Sequence, residues 1–209
     1  MSPLPKRMTN HWWWRPGVRP GRRLYVWHVL FDDRPGAEKL VEECRDRLAG
    51  LPGLDSVPTP WLHMTTQIVG FTDEISDSEL QNMITAVSER MRSVAPTSVS
   101  LGRPLFHSEA LVLGVDPRDG LDAVRAGVRQ AVAMTVRANR LTDDPDWVPH
   151  LSVAYSNSEA PAEPVISAMQ SPPAPVDVRI DAIDLVSQER VGHSYIWDRI
   201  ATVQLGPVR

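Results

Sequence analysis

The chain has 209 residues, 42% apolar and 23% charged, which is enough to bury a core and excludes a disordered chain. No segment approaches the ~20 apolar residues of a membrane span, and the N-terminus lacks the apolar stretch of a secretion signal, so a cytoplasmic protein is expected. The net charge of −4 conceals an asymmetry: residues 1–31 carry Lys6, Arg7, Arg15, Arg19, Arg22 and Arg23 with no acid, leaving −10 on the remainder and pointing a basic end at a polyanion.

Residues 1–22 read as an irregular arm rich in Pro, Gly, Arg and Trp. Its Trp12, Trp13 and Trp14 have two readings: rings that fold back over a sheet edge or apolar patch, the favoured one, or rings that stack on bases beside arginines. A single domain over 23–209 follows, with two similar lobes of about 23–105 and 106–209. Bulky, β-branched residues predict a strand over 24–31. A helix over 36–49 has Leu40, Val41, Cys44 and Leu48 on one face and stops at Gly50 and Pro52. After a strand over 63–70 comes a helix over 77–94, with Ser76 and Glu79 spaced for a capping box. A short strand over 98–101 closes the first lobe. The second repeats the order: strand 111–115, helix 119–139, strand 150–155, helix 162–169 and strand 195–205. Between them, 176–186 alternates but changes phase, which predicts a bulge near Asp181 or Ala182. The repeated order implies an internal duplication about a pseudo-twofold axis.

Two stretches carry the chemistry: Trp61-Leu62-His63-Met64-Thr65 and Trp147-Val148-Pro149-His150-Leu151-Ser152. In a strand, residues i and i+2 share a face, so His63 points with Thr65 and His150 with Ser152. Each histidine follows a Trp and a Pro within three residues, and none of His11, His28, His107 and His193 has a Ser or Thr at i+2. Facing each other, the two pairs would supply two proton-exchanging groups near neutral pH and two donors for phosphate oxygens.

The tetrapeptides His63-Met64-Thr65-Thr66 and His150-Leu151-Ser152-Val153, the repeated element order and a final strand with Tyr195-Ile196-Trp197 resemble the 2H phosphoesterase superfamily, within it the bacterial 2′-5′ RNA ligase-like cyclic phosphodiesterases. The resemblance implies an α+β bilobal fold, two antiparallel sheets lining a cleft with helices outside. It also implies metal-independent hydrolysis of 2′,3′-cyclic phosphates of RNA ends or nucleotides, with reversible 2′-5′ ligation in some relatives. His63 as acid and His150 as base follow the resemblance, with Thr65 and Ser152 binding phosphate. Where many relatives have a basic residue after a histidine motif, this chain has Gln67 and Tyr155-Ser156-Asn157. The alternative is a non-catalytic RNA or nucleotide binder on the same scaffold.

His28, Tyr155, Tyr195 and Arg103 are candidate substrate contacts, while Arg190 and Arg22 or Arg23 are further candidate phosphate clamps. His107 and His193 fall in expected loops. No metal or other cofactor is expected, since neither a Cys pair nor a His-Glu-x-x-His run occurs and Asp143-Asp144-Pro145-Asp146 reads as a polar loop. The lone Cys44 reads as core. The expected partners are RNA ends or cyclic nucleotides, bound by a monomer without a membrane.

Overall fold

A computed structural model describes residues 4–138 and 147–206. Its strands are β1 (Arg7–Met8), β2 (Leu24–Leu30), β3 (Leu54–Ser56), β4 (His63–Phe71), β5 (Thr97–His107), β6 (Ala110–Asp116), β7 (His150–Ser156), β8 (Ala160–Pro161), β9 (Val176–Ile180), β10 (Ala182–Val191) and β11 (Ser194–Gln204). The helices are α1 (Pro35–Leu48), α2 (Asp77–Met91), α3 (Asp122–Thr135) and α4 (Glu163–Ala168). The strands form an antiparallel four-stranded sheet in the order β11-β10-β2-β4 and an antiparallel five-stranded sheet in the order β3-β7-β6-β5-β9. β1 pairs with β8 and so stitches the arm to the second lobe.

Alternation along the histidine strands divides core from cleft. Met64, Leu151 and Val153 are fully buried in the apolar core, between neighbours that face the other way. Helices α2 and α3 pack against each other over the four-stranded sheet, and α1 covers the five-stranded one, with α4 beside it. The buried stripe of α1, Ala37, Leu40, Val41, Cys44 and Leu48, follows helical spacing. Cys44 is core, and burial pushes its thiol up to about 11, so it is inert at neutral pH. At α2 the Ser76 side chain accepts from the Glu79 backbone N–H while the Glu79 side chain accepts from the Ser76 backbone, the expected capping box.

Three expectations need correction. The lobes do not divide the chain near residue 105: β5 joins the sheet of β6 and β7, β10 and β11 return to the sheet of β2 and β4, and α1 covers the later strands while α3 covers the earlier. Local patterns define each element, but long-range pairing decides which sheet it enters. The phase change near Asp181 is likewise a change of sheet, because β9 pairs with β5 and β10 with β2 and β11; the β10 bulge lies instead between Leu185 and Val186. Finally, β5 runs on to His107, well past 101. Its partner β9 covers only residues 97–101, so the continuation is an edge on that side, where the missing N–H of Pro104 costs no ladder bond. Asn139, the expected end of α3, and residues 143–146 lie outside the described residues.

Candidate active site

The two histidine strands approach each other at the junction of the sheets. Trp147, three residues ahead of His150, reaches across and donates from its indole nitrogen to the Thr65 carbonyl at 3.1 Å. The two imidazoles are held alike. His63 Nδ1 lies 2.8 Å from the Trp61 carbonyl and His150 Nδ1 2.7 Å from the Val148 carbonyl, each reaching back two residues. A carbonyl can only accept, so Nδ1 carries the proton in both rings and Nε2 is left as the titrating atom. Burial lowers His63 to about 4, opposed by its bond to the Trp61 carbonyl and assisted by repulsion from His150. Burial also lowers His150, against its bond to Val148 and with repulsion from His107. Both rings are therefore neutral at pH 7 in the ligand-free site, whereas unperturbed values near 6.5 would have left a charged fraction.

Each histidine has a second one behind it. His28 is fully buried on β2, directly across from Thr65, with its ring centroid 4.3 Å from that of His63 and its Nε2 2.9 Å from Gln188 Oε1. It backs the His63 ring rather than opening onto the cavity, and burial lowers its pKa well below the ordinary value. Trp197 packs edge-on against His63 at 5.0 Å and on Trp61 at 4.9 Å. On the other side, His107 ends β5 rather than sitting in a loop, 6.1 Å from His150. Arg103, Gly114 and His150 are paired in one row across β5, β6 and β7. Gly114 has no side chain, and a Cβ there would meet Leu105 Cδ1 at 2.9 Å and Arg103 Nη2 at 3.4 Å, so both side chains lie over the glycine.

Thr65 and His63 line a cavity of about 250 Å³ together with Tyr155, Tyr195, Arg15 and Arg190. Among the described residues the Thr65 hydroxyl has no protein partner, whereas Ser152 sits beside the Tyr155 hydroxyl. Burial raises the Tyr155 and Tyr195 phenols, which stay neutral at ordinary pH.

The arm is the part that sequence reasoning saw least well. Trp12 is 4% exposed and donates to Asp55 Oδ2 at 2.8 Å, while His11 stacks on Tyr155 at 4.1 Å and bonds to the Tyr195 hydroxyl at 2.9 Å. Capping thus describes Trp12, but Trp13 and Trp14 remain 50% and 53% exposed. His193, in the turn after β10, stacks on Trp12 and pairs with Asp55. Arg22 and Arg23 are committed elsewhere: Arg22 to Asp73, Glu74 and the Phe71 ring, Arg23 to Asp198 and the Ser187 carbonyl. Among the described residues there is no group of three or more His, Cys, Asp or Glu placed to hold a metal ion, and no helix is long and apolar enough to cross a membrane.

Two antiparallel sheets around a cleft with paired His-x-Ser/Thr strands define a 2H phosphoesterase fold. A sequence model of the 2′-5′ RNA ligase superfamily matches residues 31–192, and the chain belongs to that superfamily. Solved structures agree on the fold. TT0787 of Thermus thermophilus is 19% identical with a TM-score of 0.69, over 87% of this chain and 97% of that one. Escherichia coli LigT in apo form is 14% identical at 0.63, over 88% and 98%, and LigT complexed with 3′-AMP is 15% identical at 0.63, over 88% and 99%. No curated protein sequence matches the chain significantly.

Proposed function

We propose that the protein is a phosphodiesterase that opens 2′,3′-cyclic phosphates of RNA ends or nucleotides by two-histidine acid and base catalysis. The observation that carries this reading is the matched pair of imidazoles, each fixed through Nδ1 to a carbonyl two residues back, with His63 close enough to His150 to be shifted by its charge. The base takes a proton from water as its oxygen attacks phosphorus; the bond to one ribose oxygen breaks, and the acid protonates that oxygen on the far side. Thr65 and Ser152 donate to the non-bridging oxygens as charge builds there. By family resemblance His63 is the acid and His150 the base. Because both are neutral at rest, the acid gains its proton as the anionic phosphate enters and raises its pKa. The proton transfers need no metal. With a ribose 5′-hydroxyl in place of water and the 3′-oxygen leaving, the same steps would join two strands through a 2′-5′ linkage. LigT has been crystallised with 3′-AMP, ATP and NADP+, which supports a nucleotide substrate class.

The test is incubation of the purified protein with 2′,3′-cyclic nucleotides, with and without EDTA, and identification of the phosphate isomer formed. Turnover should persist under chelation. Retained nucleotide binding without turnover would select the non-catalytic binder instead, and activity lost to EDTA and restored by a divalent ion would overturn the metal-free route.

A further inference from the structure

The cavity beside His63 has a wall that the histidine strands do not build. Trp13 and Arg15 come from the arm and Arg190 from β10, all lining the same space as His63 and Thr65. Arg190 is held by carbonyls: its Nη2 donates to Trp12 at 2.6 Å, its Nη1 to Trp13 at 3.2 Å and its Nε to Gly192 at 3.1 Å, with the guanidinium 4.1 Å from the Trp14 ring. Among the described residues no carboxylate lies within ion-pair distance of it, in contrast to Arg22 in the same wall, which is held by two acids. Arg15 shares the single carboxylate of Glu109 with His11 and with the Trp13 indole nitrogen. The wall therefore carries a fixed cation with no acid partner among the described residues, and a half-exposed indole whose N–H is already satisfied and which has the Arg15 guanidinium 5.0 Å from its ring centre. Simple capping of the fold is done by the buried Trp12 and does not call for an exposed Trp13 or an unpaired guanidinium. A fixed cation next to an aromatic face suits a nucleotide, which offers an anion and a base a few ångströms apart.

We infer that the arm adds a subsite for the nucleotide preceding the reacting phosphate, in which Arg190 with Arg15 holds the phosphodiester and Trp13 stacks the base. The favoured substrate is then an RNA chain end rather than a lone cyclic nucleotide. This rests on the phosphodiesterase reading of His63 and His150.

The experiment compares kcat/KM for a trinucleotide ending in a 2′,3′-cyclic phosphate with that for the mononucleotide, in wild type, Arg190→Gln and Trp13→Ala. Equilibrium binding of the 3′-phosphate forms of both is measured in parallel. Wild type should prefer the trinucleotide, and each substitution should cut the preference about tenfold. Arg190→Gln should also reduce the slope of log affinity against log salt by about one. Arg118→Gln, an exposed cation in the turn after β6, should change neither. No preference in wild type, or an unchanged preference in both variants with their folds intact by circular dichroism, overturns the subsite. If Arg190→Gln frees the arm and unfolds it, Trp13→Ala decides. Should neither substrate turn over, the histidine reading fails, and the subsite stands or falls on whether the trinucleotide 3′-phosphate binds more tightly than the mononucleotide.

Discussion

The histidine strands β4 and β7 share one local design and differ in what surrounds it. Both hook Nδ1 to a carbonyl two residues back, and both put a hydroxyl residue on the same face. Around His63 the protein is closed, with His28 behind it, Trp197 against its edge and the arm in front. Around His150 it is more open, with His107 at the end of β5 and Gly114 as the histidine's immediate neighbour across the ladder. Equal backbone geometry thus coexists with unequal desolvation. Two copies of one motif can hold their imidazoles alike and still be shifted to different extents, because the hook raises both while burial and neighbouring charge differ between them.

The largest effect expected from breaking this pair is on turnover. His63→Ala or His150→Ala should each lower kcat by a factor of about 10² to 10⁴, and the double variant should be far less than multiplicatively worse, since the two act as a unit. Steady-state kinetics on a confirmed cyclic substrate checks this; a folded single variant with wild-type activity would end the pair hypothesis. Next, Trp12→Ala should cost about 3 kcal/mol in urea unfolding, because a nearly buried indole and its bond to Asp55 are lost together. An effect under about 0.5 kcal/mol would mean that the arm is docked without contributing to stability.

Thr65→Ala and Ser152→Ala sharpen the comparison, each costing roughly tenfold to a hundredfold in kcat/KM as one neutral donor is removed. Because the Thr65 hydroxyl has no partner among the described residues whereas Ser152 sits beside Tyr155, the Thr65 loss should appear in turnover alone and the Ser152 loss in thermal stability as well. The smallest effects concern pH. Both free-enzyme imidazoles lie below 6.5, so the bell of kcat/KM should peak on the acid side of that value and decline through neutrality; a maximum above about pH 7 would contradict the depressed values. Folding stability follows the same groups. His63 binds its proton less readily folded than unfolded, so the stability due to its neutral ring is complete above about pH 6.5 and is lost as pH falls toward about 4. His63→Gln should lose less melting temperature than wild type between about pH 7 and about pH 4.5.

The legible part of the molecule was the local part. The i, i+2 pairing of His63 with Thr65 and His150 with Ser152, the apolar stripe of α1 and the capping box at Ser76 all depend on backbone periods that a strand or helix imposes wherever it sits. The same reading misplaced the sheet change at Asp181, because a strand that ends one sheet and a strand that begins another leave the same phase slip as a bulge. It named Arg190 without a reason to prefer it over Arg22, and it did not connect Arg15 or Trp13 to the cleft, since nothing within the arm states where its far end docks. His28 could be suspected from its place on a strand, but its role as the ring behind His63 needed the β2 and β4 register.

By itself, then, the sequence determined which atoms could do the chemistry and how each would be presented by its own strand. The tertiary structure alone decided that the lobes interleave, that both imidazoles are desolvated and neutral, and that the basic arm ends in the wall of the cleft. Those properties arise from hydrogen-bond pairing, burial and charge between residues as far apart as Trp12 and Arg190, and such long-range contacts have no period along the chain.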